Sequence, residues 1–230
     1  FAKATTVLEK SYSCPFLSHS TMEPMNFFAD VKDDSAILTG PVQTPSFLEK
    51  SISDRLGLPV EKVEVKMTRM GGGFGRRLYC HFGVEAAVIS QKMKAPVKLI
   101  YTREDDMTDG VYRPAYHATY RAAFDENKNL TAFHVKAGGI PESPLSANRF
   151  PAGTIDHYLA EEFSIPSNIS VGAFRAPASN FMAGAEQSFL DEVAEFMGKD
   201  PIQFRLGLFE KAKKSQVGKD NDYDIDRYAG

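Results

Sequence analysis

The sequence lacks most of the features that announce a familiar function class. Its 230 residues contain two cysteines, Cys14 and Cys80. That is too few for a disulfide framework, and their spacing is not that of metal ligands, so both read as ordinary thiols. No apolar run approaches the roughly 18 residues that would suggest a membrane span. There is no signal-peptide pattern, internal repeat or low-complexity tract. The net charge of −3 argues against a general binder of nucleic acid or membrane surface. Arg69, Arg76 and Arg77 therefore read as local chemistry. The histidines, at positions 19, 81, 117, 134 and 157, are scattered. No Ser, His and Asp arrangement or zinc-type His/Glu helix is spelled out, and each histidine reads as structural or exposed. The chain starts at Phe1 without an initiator Met, so the expectation is a fragment or a processed product.

What is present centres on glycine. Met70-Gly71-Gly72-Gly73-Phe74-Gly75-Arg76-Arg77 follows the alternating run from Lys62 to Met67 and precedes an expected helix from about Leu78 to Gln91. Strand, glycine turn and helix N-terminus together predict an anion cradle built from main-chain N–H groups. Two common explanations fail on spelling. A dinucleotide fingerprint needs glycine where Arg76 stands, and a P-loop needs a Gly-Lys-Ser/Thr ending that is absent.

At 43% hydrophobic, the chain can bury a core in one large or two small domains. Residues 1 to 14 read as an edge strand ending at Cys14-Pro15. His19 to Asn26 reads as a polar turn before a strand through Phe27, Phe28 and Ala29. Ala36 to Thr39 is a short strand. Thr44 is placed as N-cap and Pro45 as first residue of a helix with Phe47, Leu48, Ile52 and Leu56 at helical spacing, stopped by Gly57. With a strand from Pro96 to Tyr101, the first hundred residues form a βαβ-like succession. Thr102 to Met107 reads as a charged, solvated loop. Tyr116 to Phe124 and Leu130 to Ala137 predict an antiparallel hairpin. The pattern then dissolves, apart from a helical turn near Ile155 to Ala160. A broad apolar face on Phe181, Ala185, Phe189, Val193 and Phe196 predicts the strongest helix, ended by Gly198. Asp200-Pro201-Ile202-Gln203 is a capping box for the next one. Residues from Lys211 to Gly230 are charged and aperiodic.

Gln43-Thr44-Pro45, the glycine loop and Gly172-Ala173-Phe174-Arg175-Ala176-Pro177 together resemble the molybdopterin-binding segments of the xanthine dehydrogenase and aldehyde oxidase superfamily. His19 to Asn26, Gly71 to Arg77, Thr102 to Met107 and Tyr112-Arg113-Pro114 are similar to the isoquinoline 1-oxidoreductase beta-subunit branch. The resemblance spans about Phe16 to Leu208. It implies an α+β fold with mixed sheets and packed helices, part of a molybdenum cofactor-binding domain. Residues 1–212 would be a partial domain: a βαβ-like half to about 110, a hairpin and irregular segment over 111–171, and a helical segment over 172–212. Residues 213–230 would be a tail or a truncated continuation. Gln43 matches a glutamine whose amide faces an oxo ligand of molybdenum. Phe74 and Gly75 match residues whose backbone amides approach the metal-cofactor unit, with Gly72 and Gly73 keeping that approach clear. Ala173, Phe174 and Arg175 match a segment that holds the cofactor through N–H groups and the arginine. Without the resemblance, Phe174 could be core, Arg175 a surface ion pair and Gln43 a helix-cap partner. Glu23 is given no catalytic role.

The sequence also departs from the family. Arg76 and Arg77 replace the Gly-Lys commoner in xanthine dehydrogenases, and Leu78 stands where those enzymes carry a substrate-facing glutamate, which argues against xanthine-type purine recognition. No segment matches the family's C-terminal glutamate base, so no catalytic residue and no protein metal ligand is assigned. The expectation is a piece of an enzyme that hydroxylates an N-heteroaromatic or aldehyde carbon, with electrons passing to a separate [2Fe-2S] subunit. By itself the piece is expected neither to hold molybdopterin tightly nor to turn over. The competing class is a non-catalytic scaffold that keeps the fold without the cofactor. The compartment is open between a bacterial cytoplasm and periplasm.

Overall fold

A computed structural model describes residues 1–214 and 222–230. Among the described residues, eight strands and six α-helices are arranged in two units, each discontinuous in sequence. One unit comprises residues 1–15, 114–167 and 176–230; the other comprises 16–113 and 168–175.

The unit that carries the glycine loop is built on a four-stranded sheet. Strands β2 (Asn26–Val31), β3 (Ala36–Gly40), β4 (Val63–Met67) and β5 (Val97–Ile100) lie in the order β4-β3-β2-β5. β3 and β4 are parallel, with Leu38 opposite Val65, and helix α1 (Pro45–Leu56) makes the crossover. This is the expected βαβ succession. β2 alternates, sending Phe27, Ala29 and Val31 into the core. There they meet Leu48 and Ile52 of α1 and Phe82, Ala86 and Ala87 of helix α2 (His81–Met93). Pro45 opens α1, and Gly57 closes it with φ of 72°, a conformation that costs glycine nothing. Thr44 flanks the helix as expected, but its hydroxyl donates to the Leu78 carbonyl instead of capping the helix.

Two expectations fail in this unit. The helix after the glycine loop begins at His81, not Leu78, because a single 3₁₀ turn over Arg76–Leu78 and an extended Tyr79 intervene. The glycine loop therefore does not run into the helix N-terminus, and its donors are its own amides. The segment read as a solvated loop forms helix α3 (Arg103–Thr108), with a reciprocal Thr102–Asp105 capping box. That turn carries Asp106 inward, where it is 2% exposed.

In the other unit, β1 (Thr6–Cys14), β6 (Ala115–Phe124), β7 (Leu130–Ile140) and β8 (His157–Ser164) form a sheet in the order β1-β6-β7-β8. β1 is the expected edge, and β6 and β7 are the expected hairpin. Helix α4 (Ser179–Met197) lays Phe189, Leu190 and Val193 on Tyr120 and Phe133. Gly198 ends it, and the Asp200 carboxylate accepts from the N–H groups of Ile202 and Gln203 at the start of helix α5 (Pro201–Lys214). The helical turn expected near Ile155 to Ala160 is instead the start of β8, which runs parallel to β7. Tyr158 and Ala160 face the core at period two, so pairing with a sheet edge overrides the local signal. Of the residues read as a charged tail, 215–221 lie outside the described residues, and Ile225–Ala229 form helix α6, capped by Asp224.

Candidate functional site

Three segments far apart in sequence meet within the sheet unit that carries the glycine loop. Gln43 stands between β3 and α1, with its side chain exposed. Its Oε1 accepts from the Gly75 N–H at 3.2 Å, which fixes the amide and leaves Nε2 as the end free to donate. A Cβ on Gly73 would lie 2.5 Å from Gln43 Oε1, so any side chain there would push the Gln43 amide out of this position. Gly75 has φ of 105°, and a Cβ on it would overlap the Ala173 carbonyl oxygen. Phe74 holds φ of 55°, a sparsely populated conformation for a side chain of its size, and the residue is 45% exposed.

The segment 172–175 is tied to this loop on both sides. The Arg175 N–H donates to the Phe74 carbonyl at 2.8 Å, and the Arg175 guanidinium lies 5.9 Å from the Phe74 ring centre. The Ala173 N–H donates to the Tyr79 hydroxyl at 2.6 Å. His19 donates from Nε2 to the Ala173 carbonyl at 2.8 Å, and its ring lies against Phe174 at 4.9 Å between centres. Burial pushes the His19 pKa down; the Ala173 and Val111 carbonyls favour the charged ring, and nearby Arg76 opposes it. Every residue named as cofactor-binding (Gln43, Gly72, Gly73, Phe74, Gly75, Ala173, Phe174 and Arg175) is thus in or adjoining one cluster. The N–H groups of Gly72, Gly73 and Phe74 donate to no protein acceptor among the described residues.

Beneath the loop lie two buried arginines whose role the sequence did not disclose. Arg76 is 1% exposed; it donates to His81 Nε2 at 2.7 Å and to the Asp109 carbonyl at 3.2 Å, and its Nε lies 3.6 Å from the Asp106 carboxylate. Gly110, with φ of 87°, makes room for that guanidinium. Accepting from a cation requires a neutral ring, and burial, followed by Arg76 itself, pushes the His81 pKa down. Arg103 makes the second ion pair of Asp106, at 3.2 Å. Arg77 is fully buried, and it donates to the carbonyls of Gly72 and Glu23 and to the Glu23 carboxylate. The only local sign of this network is two arginines directly after a glycine turn, with acidic residues some thirty positions on.

A family model described as the molybdopterin cofactor-binding domain matches residues 1–139, more than half of the chain. The chain belongs to that family. Among curated relatives of this molybdopterin cofactor-binding domain protein, the membrane-bound aldehyde dehydrogenase [pyrroloquinoline-quinone] of Gluconacetobacter polyoxogenes is 33% identical over 231 residues, covering 90% of this chain and 30% of that protein. The aldehyde oxidoreductase molybdenum-binding subunit PaoC of Escherichia coli (strain K12) is 26% identical over 213 residues, covering 90% of this chain and 29% of that one. The fold is shared with quinoline 2-oxidoreductase from Pseudomonas putida 86, at a TM-score of 0.74 and 21% identity over 90% of this chain and 28% of that one. It is shared equally with the aldehyde oxidoreductase of Desulfovibrio gigas, at a TM-score of 0.74 and 19% identity over 98% of this chain and 25% of that one. The molybdopterin-domain chain thus spans about 30% of the length of these curated relatives.

Proposed function

We propose that this chain supplies one cofactor-facing wall of a molybdenum-dependent oxidoreductase that hydroxylates an aldehyde or N-heteroaromatic carbon with oxygen from water. The observation that carries the reading is the meeting of Gln43, Gly72 to Gly75 and Ala173 to Arg175, with three loop N–H groups unspent. A group bearing phosphate and oxo oxygens needs many donors and few obstructing side chains, and this loop offers that combination. When bound, molybdopterin supplies the oxygen-transfer and two-electron chemistry. The chain's own residues would bind and orient it: the loop amides and Gln43 Nε2 would donate to its oxygens, and Arg175 would pair with an anionic substituent. Residues 1–212 form the partial cofactor-binding domain in this reading.

The motif spelling favours an isoquinoline 1-oxidoreductase-like substrate, with electrons leaving through a [2Fe-2S] subunit. The 230 residues alone hold the cofactor weakly and do not turn over, since no catalytic base is assigned among them. The test uses the full-length protein that carries this segment, assayed for molybdenum and for dye-linked oxidation of isoquinoline and of an aldehyde. Stoichiometric molybdenum with turnover is expected, and Gln43→Ala should lower turnover by about 10- to 100-fold while the metal stays bound. A full-length protein without molybdenum overturns the reading in favour of a scaffold, or of a quinone cofactor such as the Gluconacetobacter relative's name specifies. Stoichiometric metal with turnover in the isolated 230 residues overturns the claim about the segment.

A further inference from the structure

Residue 77 touches two of the three segments of the candidate site at once. Its main-chain carbonyl accepts from the Gln43 N–H at 2.9 Å, while its Nε donates to the Gly72 carbonyl at 2.8 Å. The rest of the guanidinium reaches backwards: Nη2 donates to the Glu23 carbonyl at 2.8 Å and to Glu23 Oε2 at 3.1 Å, and Nη1 to the Pro41 carbonyl at 3.4 Å. Glu23 closes the circuit. Its Oε2 also accepts from the Gly71 N–H at 2.7 Å, its own N–H donates to the Gly71 carbonyl at 3.2 Å, and its Oε1 accepts from Asn26 at 3.0 Å. The carboxylate is the direct counter-ion of a guanidinium that has no access to water, and such a charge is costly unless paired and hydrogen-bonded.

We propose that Arg77, held by Glu23, is a positioning residue that fixes the Gly72–Gly75 turn, whose Gly75 N–H in turn holds the Gln43 side-chain amide, before any ligand arrives. The role rests on the reading that this turn faces the cofactor. Three features support it. The turn stores strain at Phe74, which relaxes unless its surroundings hold it. Arg77 meets the loop on the carbonyl of Gly72, which leaves the N–H groups of Gly72 to Phe74 unspent. A planar fork reaches carbonyls in three directions at once, and a lysine ammonium cannot reproduce that geometry from the same stem.

The test compares Arg77→Lys and Glu23→Gln with wild type in the full-length protein, by hydrogen-exchange mass spectrometry and by molybdenum content. Arg77→Lys should speed exchange about tenfold at the hydrogen-bonded amides of Gln43, Gly71 and Gly75, leave β2 and β3 at wild-type rates, and lower bound molybdenum by a similar factor. Glu23→Gln should shift both in the same direction by less, and it carries the test should Arg77→Lys fail to fold. Unchanged local exchange overturns the proposal, as does faster local exchange with full metal content. So does acceleration spread evenly through β2 and β3, which would mark a merely structural role. Wild-type protein without molybdenum, combined with local acceleration in the variants, sustains the positioning role and overturns the cofactor reading instead.

Discussion

At the scale of single residues, the site is governed by what cannot be added to it. Gly75 combines φ of 105° with the Ala173 carbonyl directly over its missing side chain. Gly75→Ala therefore meets backbone strain and overlap together, and should destabilise the protein by roughly 2–4 kcal/mol in denaturant unfolding. Loss of the Arg175 to Phe74 hydrogen bond should accompany it as faster exchange at Arg175. The glycines were legible in the sequence because a glycine-rich turn after a strand is a local signal. Their reasons were not, since the carbonyl of residue 173 and the amide of residue 43 reach the loop only in the folded chain. Burial of Arg76 and Arg77 was hidden for the same reason: a charge run is solvated by default, and only the convergence of Glu23 and Asp106 makes burial tolerable.

Among the elements, α4 carries the clearest link from pattern to packing. Its Phe189 stacks on Tyr120 at 5.4 Å and meets Phe133 edge-on at 5.6 Å between ring centres. Phe189→Ala should cost about 3–5 kcal/mol through lost burial and the cavity left behind, measured by urea unfolding with no change in slope. This helix and α1 were readable from the sequence, because apolar spacing of three to four and a following glycine act within one turn. β8 was not. Its pairing with β7 joins residues about 25 apart, and its composition gives no strong strand preference. α3 was missed because six residues with three acidic side chains present no apolar face.

At the scale of the whole molecule, two carboxylates, one in each unit, make contributions of opposite sign to the pH dependence of stability. Burial pushes the Glu23 carboxyl up, but the Gly71 N–H, the Asn26 amide and Arg77 outweigh it and hold the group below its ordinary value of 4.5. Its contribution is present above 4.5 and is lost as pH falls through the lowered folded value. Glu186 of α4 behaves the other way. Burial raises it to about 7, opposed by Arg149, whose Nε lies 3.3 Å away, and by Gln187 and Arg205. Its contribution is greatest while that carboxyl is protonated, and on the order of 3 kcal/mol of it is lost as pH rises from 4.5 to about 7. Glu186→Gln should flatten that decline, read as unfolding free energy at pH 5 and pH 8; an unchanged slope would show that other groups set it.

The sequence by itself determined the backbone punctuation and the family: where α1 and α4 end, which segments pair as a hairpin, and the spelling around Gln43, Gly72 and Arg175. These are local properties, fixed by φ restrictions and by periodicity within a few residues. Only the tertiary structure decided that those three segments share one surface, that Arg76 and Arg77 lie beneath it without water, and that Glu23 is bound to the loop. Contacts between positions 23, 43, 77 and 173 depend on desolvation and pairing across the fold, which no local pattern encodes.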